Sequence, residues 1–422
     1  MAIDAKELGR RLRQAREACG MTQQEVARHL GVSRPTVVQM EQGNRMVTGI
    51  EVSRLAYLYG RDVRDLLADD PPGPEGGLGV LFRLQPELAH QEPVREALRR
   101  CMALGREWRH LERMLGIGRD VPVVKAAYWL PKPRNVWEAI RQGEVLADQE
   151  RRRLGLSTAE RPEIGELLED QGVLVAMVQL PEAVSGLTLL DGESGPLVAV
   201  NGRHPPVRMR FSLAHEYCHL LADSERKGIV SVDDRRDELS EVRANAFAAA
   251  FLMPAEAVRD FVRSLGKGRS GRMAQEVFDE VLPVRGGSRS APGSRDIGIH
   301  DLVLLAHRFG VSRASAAYRL KNLGLVSDQE LDRLQEMDRS GRGRAIEQAL
   351  GIQEPGTKVP REIVPHRFLG LAIEACRRGL ISPSKLGELA CLAGLEDEAT
   401  RRLVEECGAD CDEGADVRIP GE

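Results

Sequence analysis

The sequence has no long apolar segment, because its apolar runs are short and broken by charged residues. A helix needs about 20 mostly apolar residues to cross a bilayer, so we expect no membrane span and no membrane partner. The N-terminus, MAIDAKELGRRLRQ, also lacks the apolar core of a signal peptide. These absences predict a cytoplasmic protein.

Cysteine is scarce and irregularly spaced. The seven residues form an odd, scattered set: Cys19, Cys101, Cys218, Cys376, Cys391, Cys407 and Cys411. Without an export signal, a framework of disulfides is not expected. The sequence therefore predicts free, buried thiols.

The chain also lacks an excess of positive charge, since its formal net charge is −4. The first fifty residues differ, with eight basic against five acidic side chains. Such a local excess permits contact with phosphate groups, although a solvated helix face can look the same. A length of 422 residues is too great for one core and predicts two to four domains.

Residues 4–68 contain capping and terminating residues that predict five short helices. Asp4, Thr22 and Ser33 are suitable N-caps for the first three, and Gly31 can end the second with a positive φ. Ala27, Gly31 and Val37 have the spacing of a helix-turn-helix, which needs a small, a turn and a buried apolar residue.

The third helix would then lie in the major groove of double-stranded DNA. Its exposed face would present Arg34, Thr36 and Gln39 to base edges. Gln23 and Arg45 are placed to contact backbone phosphates. The alternative is a helical bundle that pairs only with another protein.

The segment MTQQEVARHLGVSRPTVVQMEQGNR resembles the Xre (Cro/repressor-like) family of bacterial and phage regulators. The resemblance covers about residues 6–68. It implies binding to an operator as a homodimer, and thus a protein associated with the bacterial nucleoid.

A second motif, RMRFSLAHEYCHLLADS, begins at residue 208. His215 and His219 are four residues apart, so on a helix both rings share one face and can ligate Zn²⁺. Glu216 lies beside that face and can accept a proton from a metal-activated water. The alternative is a helix that carries two histidines by chance.

The following segment, SEVRANAFAAAFLMP, supplies further polar groups. Glu241 is a plausible third ligand, and Asn245 on the same face can fix the tautomer of a ligand histidine. Small residues allow this helix to approach the first one closely. Two histidines and one glutamate leave an open coordination position, which is typical of hydrolytic sites.

These motifs, with LPEAVSGLTLLDGESGPLVAVNGRHPPV before them and LVLLAHRFGVSRASAAYRLKNLGLV after them, resemble the ImmA/IrrE metallopeptidases, which belong with the gluzincins. The resemblance implies His215, His219 and Glu241 as metal ligands and Glu216 as general base. Zn²⁺ is the expected ion, and Mn²⁺ accepts the same ligands. Cys218 stands where the family often has glycine, as a small core residue or a redox-sensitive thiol.

A donor opposite the metal is also needed to stabilise a tetrahedral intermediate. The downstream candidates are His300, His307, Tyr318 and Arg319, of which we favour His307 with Arg319. They flank a segment that repeats the headpiece spacing with Ala306, Gly310 and Ala316. We expect that segment to pack on the peptidase and not to read DNA.

The predicted fold is mainly α with a small β-sheet (α+β). Its parts are a five-helix helix-turn-helix domain at 1–70, a linker and helical connector at 71–143, a gluzincin-like α+β peptidase domain at 144–330 with a helix-turn-helix-like segment at about 301–325, and a helical C-terminal domain at 331–422.

Two functional hypotheses follow. The first is a DNA-binding transcriptional regulator whose zinc-dependent endopeptidase domain cleaves a specific protein partner, such as another repressor, to switch gene expression. The second is a non-catalytic transcription factor that uses a zincin fold to sense a metal, a peptide or redox state. Glu216 and all three ligands are present, which favours the first.

Overall fold

The computed structural model has an α+β fold with many helices and a four-stranded sheet. It describes residues 3–61, 63–68, 77–85, 88, 91–117, 128, 130–158, 160–191, 194–223, 225–232, 238–267, 274–279, 282–287, 296–352 and 366–412.

The N-terminal headpiece consists of five helices. They are α1 (Ala5–Ala18), α2 (Gln23–Leu30), α3 (Arg34–Glu41), α4 (Gly49–Tyr59) and α5 (Val63–Leu67). Thr22 and Glu25 form a reciprocal capping box at the start of α2, and Gly31 ends it with φ of 71°. Ala27 and Val37 are buried where α2 and α3 cross. The predicted helix-turn-helix arrangement is therefore present.

Four strands form the main sheet of the described residues. Its strands are β1 (Leu174–Val178), β2 (Val184–Asp191), β3 (Gly195–Asn201) and β4 (Gly228–Val232), in the order β1-β3-β2-β4. β1 and β3 are parallel, and the other pairs are antiparallel. β4 therefore lies at one edge of this sheet. A separate hairpin joins β5 (Ala274–Asp279) and β6 (Leu282–Gly287).

Two helices in contact with each other carry the metal-binding motifs. They are α10 (Pro206–Ala222), which packs on β2 and β3, and α11 (Leu239–Leu252). The neighbouring helices are α8 (Val136–Arg153), α9 (Ile164–Asp170) and α12 (Ala255–Ser264). α8 packs along α11 and runs through the boundary predicted between residues 143 and 144. A continuous helix spans that position, so the predicted boundary does not coincide with the end of an element.

The opposite side of the sheet is covered by α6 (Gly77–Leu84) and α7 (Glu92–Met114). α7 packs on β1 and β3 and also contacts α4 of the headpiece. Nε of Arg99 donates to the carbonyl of Leu58 at 2.9 Å across that contact. α7, which belongs to the predicted helical connector, therefore contributes to the core.

The C-terminal part divides into two groups of helices. α13 (Ile299–Phe309), α14 (Arg313–Asn322), α15 (Asp328–Arg339) and α16 (Arg342–Ala349) form the first, and α17 (His366–Arg377), α18 (Pro383–Ala393) and α19 (Asp397–Asp412) form the second. The first group shares a core with α10 and α11, whereas α17 and α18 pack on α7. The boundary predicted between residues 330 and 331 falls within α15.

Six cysteines lie in the region whose side chains the structure describes, and all six are free thiols. Cys19, Cys101, Cys218 and Cys376 are buried, as expected. Cys391 is exposed, so the prediction of burial is wrong there. Among the described residues, no helix combines the length and apolar character needed to span a bilayer.

Candidate metal centre and DNA-binding surface

The motif HEYCH lies on α10, which packs against one face of the sheet. Glu216 and His219 are fully buried and His215 is 6% exposed. Gly186 of β2 leaves room for this helix, since a methyl group there would lie 2.7 Å from Oε1 of Glu216. The backbone irregularity of β2 next to Gly186 coincides with this close approach.

His215, His219 and Glu241 come together between α10 and α11. One ligand atom from each residue lies within 4.8 Å of the others. Nε2 of His215 is 3.1 Å from Oε2 of Glu241, and Nε2 of His219 is 3.3 Å from Oε1 of the same carboxylate. The two Nε2 atoms are 3.2 Å apart. Three donor atoms thus converge on one point.

The other ring nitrogens of the two histidines have partners. Nδ1 of His215 lies 3.0 Å from Oδ1 of Asn245. Nδ1 of His219 lies 2.9 Å from Oδ2 of Asp223, whose other oxygen accepts from Arg243 at 2.7 Å. Such contacts fix the ring tautomer and direct Nε2 towards the cluster. Asp223 and Arg243 were missed from the sequence, although Asp223 follows His219 by one helical turn.

The side chains of this cluster have strongly shifted pKa values. Burial alone lowers the pKa of His219, but hydrogen bonds to Asp223 and Glu241 outweigh it and raise the pKa to about 10. Burial likewise opposes ionisation of Glu241, yet its two histidine contacts hold its pKa well below the usual range. The carboxylate of Glu241 is therefore ionised, which is the form that ligates a cation, whereas His219 has to release its proton when a metal binds.

The two carboxylate oxygens of Glu216 differ in their hydrogen bonding. Its Oε2 accepts from the hydroxyl of Thr188 at 2.6 Å. Oε1 is buried without a hydrogen-bond partner among the residues that the structure describes. An unpaired buried carboxylate oxygen is costly, so it indicates a group with which this oxygen interacts in function.

The donor set fits a divalent transition metal. Two imidazoles and one carboxylate are the ligands of catalytic zinc sites, and they leave a fourth position for water. The unpaired Oε1 of Glu216 suits a base that acts on that water. His215, His219 and Glu241 are therefore the residues that could hold the ion, and Asn245, Asp223 and Arg243 support them.

The structure does not bring His307 or Arg319 to this cluster. Arg319 is buried, and its Nε donates to the carbonyl of Met253 at 3.0 Å. Met253 follows Glu241 by twelve residues, roughly 18 Å along a helix. The placement of Arg319 therefore gives it a packing role and does not support stabilisation of an intermediate.

His307 is exposed on α13, a helix that packs chiefly on α14 and α16. The metal cluster, by contrast, is buried. The other two downstream candidates, His300 and Tyr318, are also exposed. None of these side chains is brought to the buried ligands.

Cys218 is fully buried in the core between α10 and α11. Burial raises the pKa of its thiol, so the reactive thiolate is disfavoured. These features agree with a small core residue and do not favour a redox sensor.

The headpiece presents part of the predicted DNA-binding surface. Arg34 and Gln39 are exposed on α3, and Thr36 is half-buried. Nε2 of Gln23 donates to the buried carboxylate of Glu41 at 2.9 Å, and Arg45 pairs with Glu51 at 2.9 Å. Arg34 and Gln39 are thus open to solvent. Gln23 and Arg45 already have partners within the protein, and a DNA phosphate would have to compete with these partners.

The repeat at α13 and α14 has the same turn, since Gly310 ends α13 with φ of 61°. Its second helix is occupied by contacts within the protein. Arg313 pairs with Asp338 of α15 at 2.5 Å and with Glu347 of α16, and Arg319 is buried. These contacts agree with a packing role for this segment.

Comparison with protein families assigns both motifs. Residues 7–69 match a helix-turn-helix domain, and residues 168–270 match an IrrE N-terminal-like domain of peptidases. The chain therefore carries a helix-turn-helix domain for DNA binding and an IrrE-like metallopeptidase domain.

Two curated proteins are similar to parts of the chain. The radiation response metalloprotease IrrE of Deinococcus deserti is 33% identical over 113 residues, which are 23% of this chain and 40% of that protein. The propionyl-CoA carboxylase regulator of Cereibacter sphaeroides is 25% identical over 341 residues, which are 75% of this chain and 64% of that protein. Each match thus spans less than two thirds of the relative.

Proposed function

We propose that this chain, which joins a helix-turn-helix domain to an IrrE-like metallopeptidase domain, is a transcriptional regulator with zinc-dependent endopeptidase activity. Its substrate is a specific protein partner, such as another repressor, and cleavage switches gene expression. The chain acts as a homodimer on operator DNA, because two half-sites require two exposed α3 helices.

One observation carries this proposal above the others: the unpaired Oε1 of Glu216 beside three converging ligands. A site that only stores a metal needs no further carboxylate. A buried carboxylate with one oxygen fixed by Thr188 and one oxygen free suits a general base.

A bound Zn²⁺ lowers the pKa of a coordinated water towards neutrality. Glu216 would accept the proton of the attacking water at Oε1 and return it to the leaving amine. Thr188 keeps the carboxylate oriented through Oε2. Asn245 and Asp223 hold the two imidazoles so that both Nε2 atoms point at the same position.

The test compares wild type with Glu216→Gln on a peptide library made from a proteome. New peptide termini, identified by mass spectrometry, should fall by about 100-fold or more in the variant, which is the usual effect of losing a general base. Zinc content and DNA binding should be unchanged in Glu216→Gln, and zinc should be lost from His219→Ala. Equal cleavage by wild type and Glu216→Gln would refute the mechanism.

The second candidate is a regulator that senses its ligand without turnover. The resemblance to the propionyl-CoA carboxylase regulator, which covers 75% of this chain, favours it, because that name describes regulation only. This candidate predicts that zinc changes the affinity for operator DNA while no new termini appear in any condition.

A further inference from the structure

Ser231 of β4 carries a buried hydroxyl group beside the metal ligands. It is 2% exposed, and its Oγ lies 3.3 Å from Nε2 of His215. Within the described part of the chain, this nitrogen is the one hydrogen-bond partner of the hydroxyl. The backbone of Ser231 is held separately, because the hydroxyl of Ser185 donates to its carbonyl at 3.2 Å. The pairing of β4 therefore does not depend on the hydroxyl of Ser231.

A metal ion at the cluster would take away the partner of this hydroxyl. Nδ1 of His215 donates to Oδ1 of Asn245 at 3.0 Å, so Nε2 is the ring nitrogen that carries a lone pair. That lone pair ligates the metal, and Ser231 then needs another acceptor, since a buried hydroxyl without a partner is costly. An oxygen atom at the open coordination position would be such an acceptor.

Ser231 and the unpaired oxygen of Glu216 lie on the same face of the sheet. Ser231 is directly opposite Gly186 in the antiparallel pair of β2 and β4, and the side chains of such a pair project from one face. A methyl group at Gly186 would lie 2.7 Å from Oε1 of Glu216. One hydrogen-bond donor and one acceptor therefore flank the same part of the cluster.

This donor fills a role that the predicted residues do not fill. A tetrahedral intermediate needs a donor near its oxyanion. Arg319 donates instead to the carbonyl of Met253, and His307 is exposed on α13. The hydroxyl of Ser231, by contrast, lies within hydrogen-bond distance of a ligand nitrogen.

We propose that Ser231 is a further catalytic residue, whose hydroxyl donates to the oxyanion of the tetrahedral intermediate. The inference rests on the proposed peptidase function. In this step a water oxygen bonds to the carbonyl carbon of the substrate, and Oε1 of Glu216 accepts the proton of that water. The electron pair of the carbonyl moves to its own oxygen, which accepts the hydrogen bond from Ser231.

The experiment measures binding of acetohydroxamate to the full-length protein reconstituted with Co²⁺. The visible absorption of Co²⁺ changes when a ligand occupies the open position, so the measurement needs neither a substrate nor turnover. Acetohydroxamate presents a negatively charged oxygen to the metal, as the intermediate does. Ser231→Ala removes the donor, and Ser185→Ala is the matched control, because it removes a hydroxyl from the paired strand that binds the backbone of Ser231.

Ser231→Ala should weaken acetohydroxamate binding by about tenfold or more, the scale of one hydrogen bond to a charged acceptor. Ser231→Thr keeps a hydroxyl and should bind nearly as well as the wild type, as should Ser185→Ala. Cobalt content should be the same in all these proteins, since Ser231 is not a ligand. If Ser231→Ala fails to fold or to hold cobalt, the comparison of Ser231→Thr with Ser231→Val decides, because these differ by a hydroxyl in place of a methyl group.

Equal acetohydroxamate binding by the wild type and Ser231→Ala, or by Ser231→Thr and Ser231→Val, would overturn the inference. So would equal cleavage of the proteome-derived peptides by the wild type and Ser231→Ala. Weaker acetohydroxamate binding in Ser231→Ala, with no cleavage by the wild type, would refute the peptidase function and leave Ser231 as a donor at the open position. Cleavage by the wild type with equal acetohydroxamate binding would do the reverse.

Discussion

Glu169 is a carboxyl group in an unfavourable place at the end of α9. It is 6% exposed, and its Oε1 has no hydrogen-bond partner among the described residues. Burial raises its pKa to about 7, although the backbone N–H of Arg367 acts in the opposite direction. Because the folded state binds this proton more tightly than the unfolded chain, stability is lost as pH rises through about 7.

Replacing Glu169 by glutamine should therefore stabilise the protein at pH 8 and have little effect at pH 5. The expected gain in the free energy of unfolding at pH 8 is about 1 kcal/mol. Urea denaturation at both pH values measures it. Glu166→Gln is the control, since Glu166 is exposed on the same helix. An equal gain at both pH values, or an equal effect of Glu166→Gln, would contradict the assignment.

At the scale of residues, the sequence predicts a site residue best where sequence spacing alone determines the geometry. The interval from His215 to His219 is one helical turn, so a shared face follows from the helix alone. Arg319 shows the opposite case. Its role depends on which carbonyl groups approach it, here that of Met253, and no local pattern encodes this tertiary contact.

At the scale of elements, α8 packs closely against α11, the helix that carries Glu241. This packing depends on Gly143, where a methyl group would lie 2.4 Å from the carbonyl oxygen of Arg243 and 2.8 Å from the backbone nitrogen of Phe247. Backbone atoms cannot rotate away as a side chain can, so the helices would have to separate.

Gly143→Ala should therefore destabilise the protein by about 2 kcal/mol or more, the usual scale of overpacking in a core. Gly370→Ala is the control, because that glycine of α17 has open space where the methyl group would lie. There the better helix propensity of alanine should give a small gain. Thermal denaturation measures both, and equal melting temperatures would contradict this explanation.

The ends of a helix with clear caps can be predicted from the sequence, whereas the elements on which the helix packs cannot. Thr22 and Gly31 delimit α2 because both act on the local backbone. The change in composition after residue 143 predicts a domain boundary there. α8 continues through it because its packing on α11 stabilises the whole length of the helix.

Over the whole molecule, α7 joins the headpiece to the sheet through one continuous core. Arg99 is 2% exposed and ties α7 to the carbonyl of Leu58 in α4. We expect the headpiece and the sheet to unfold in a single transition for this reason. The sequence predicts a helical connector here without its packing partners, because an amphipathic helix does not show which surface it covers.

Arg99→Met should separate that transition into two, with the headpiece unfolding first. The variant leaves the carbonyl of Leu58 without its donor, which costs about 1–3 kcal/mol. Calorimetry would show the separation, and Arg113→Met, at an exposed position of α7, should retain the wild-type profile. A single unchanged transition for Arg99→Met would mean that the shared core alone holds the headpiece.

α6 contacts α1 of the headpiece as well as β4. One short helix thus touches both the domain that binds DNA and the strand beside the metal ligands. If binding of DNA to the headpiece, or of a ligand at the metal cluster, displaces α6, thermodynamic linkage requires that each change the affinity for the other by the same factor. DNA would then act as an effector of the metallopeptidase domain, and the ligand of that domain as an effector of DNA binding.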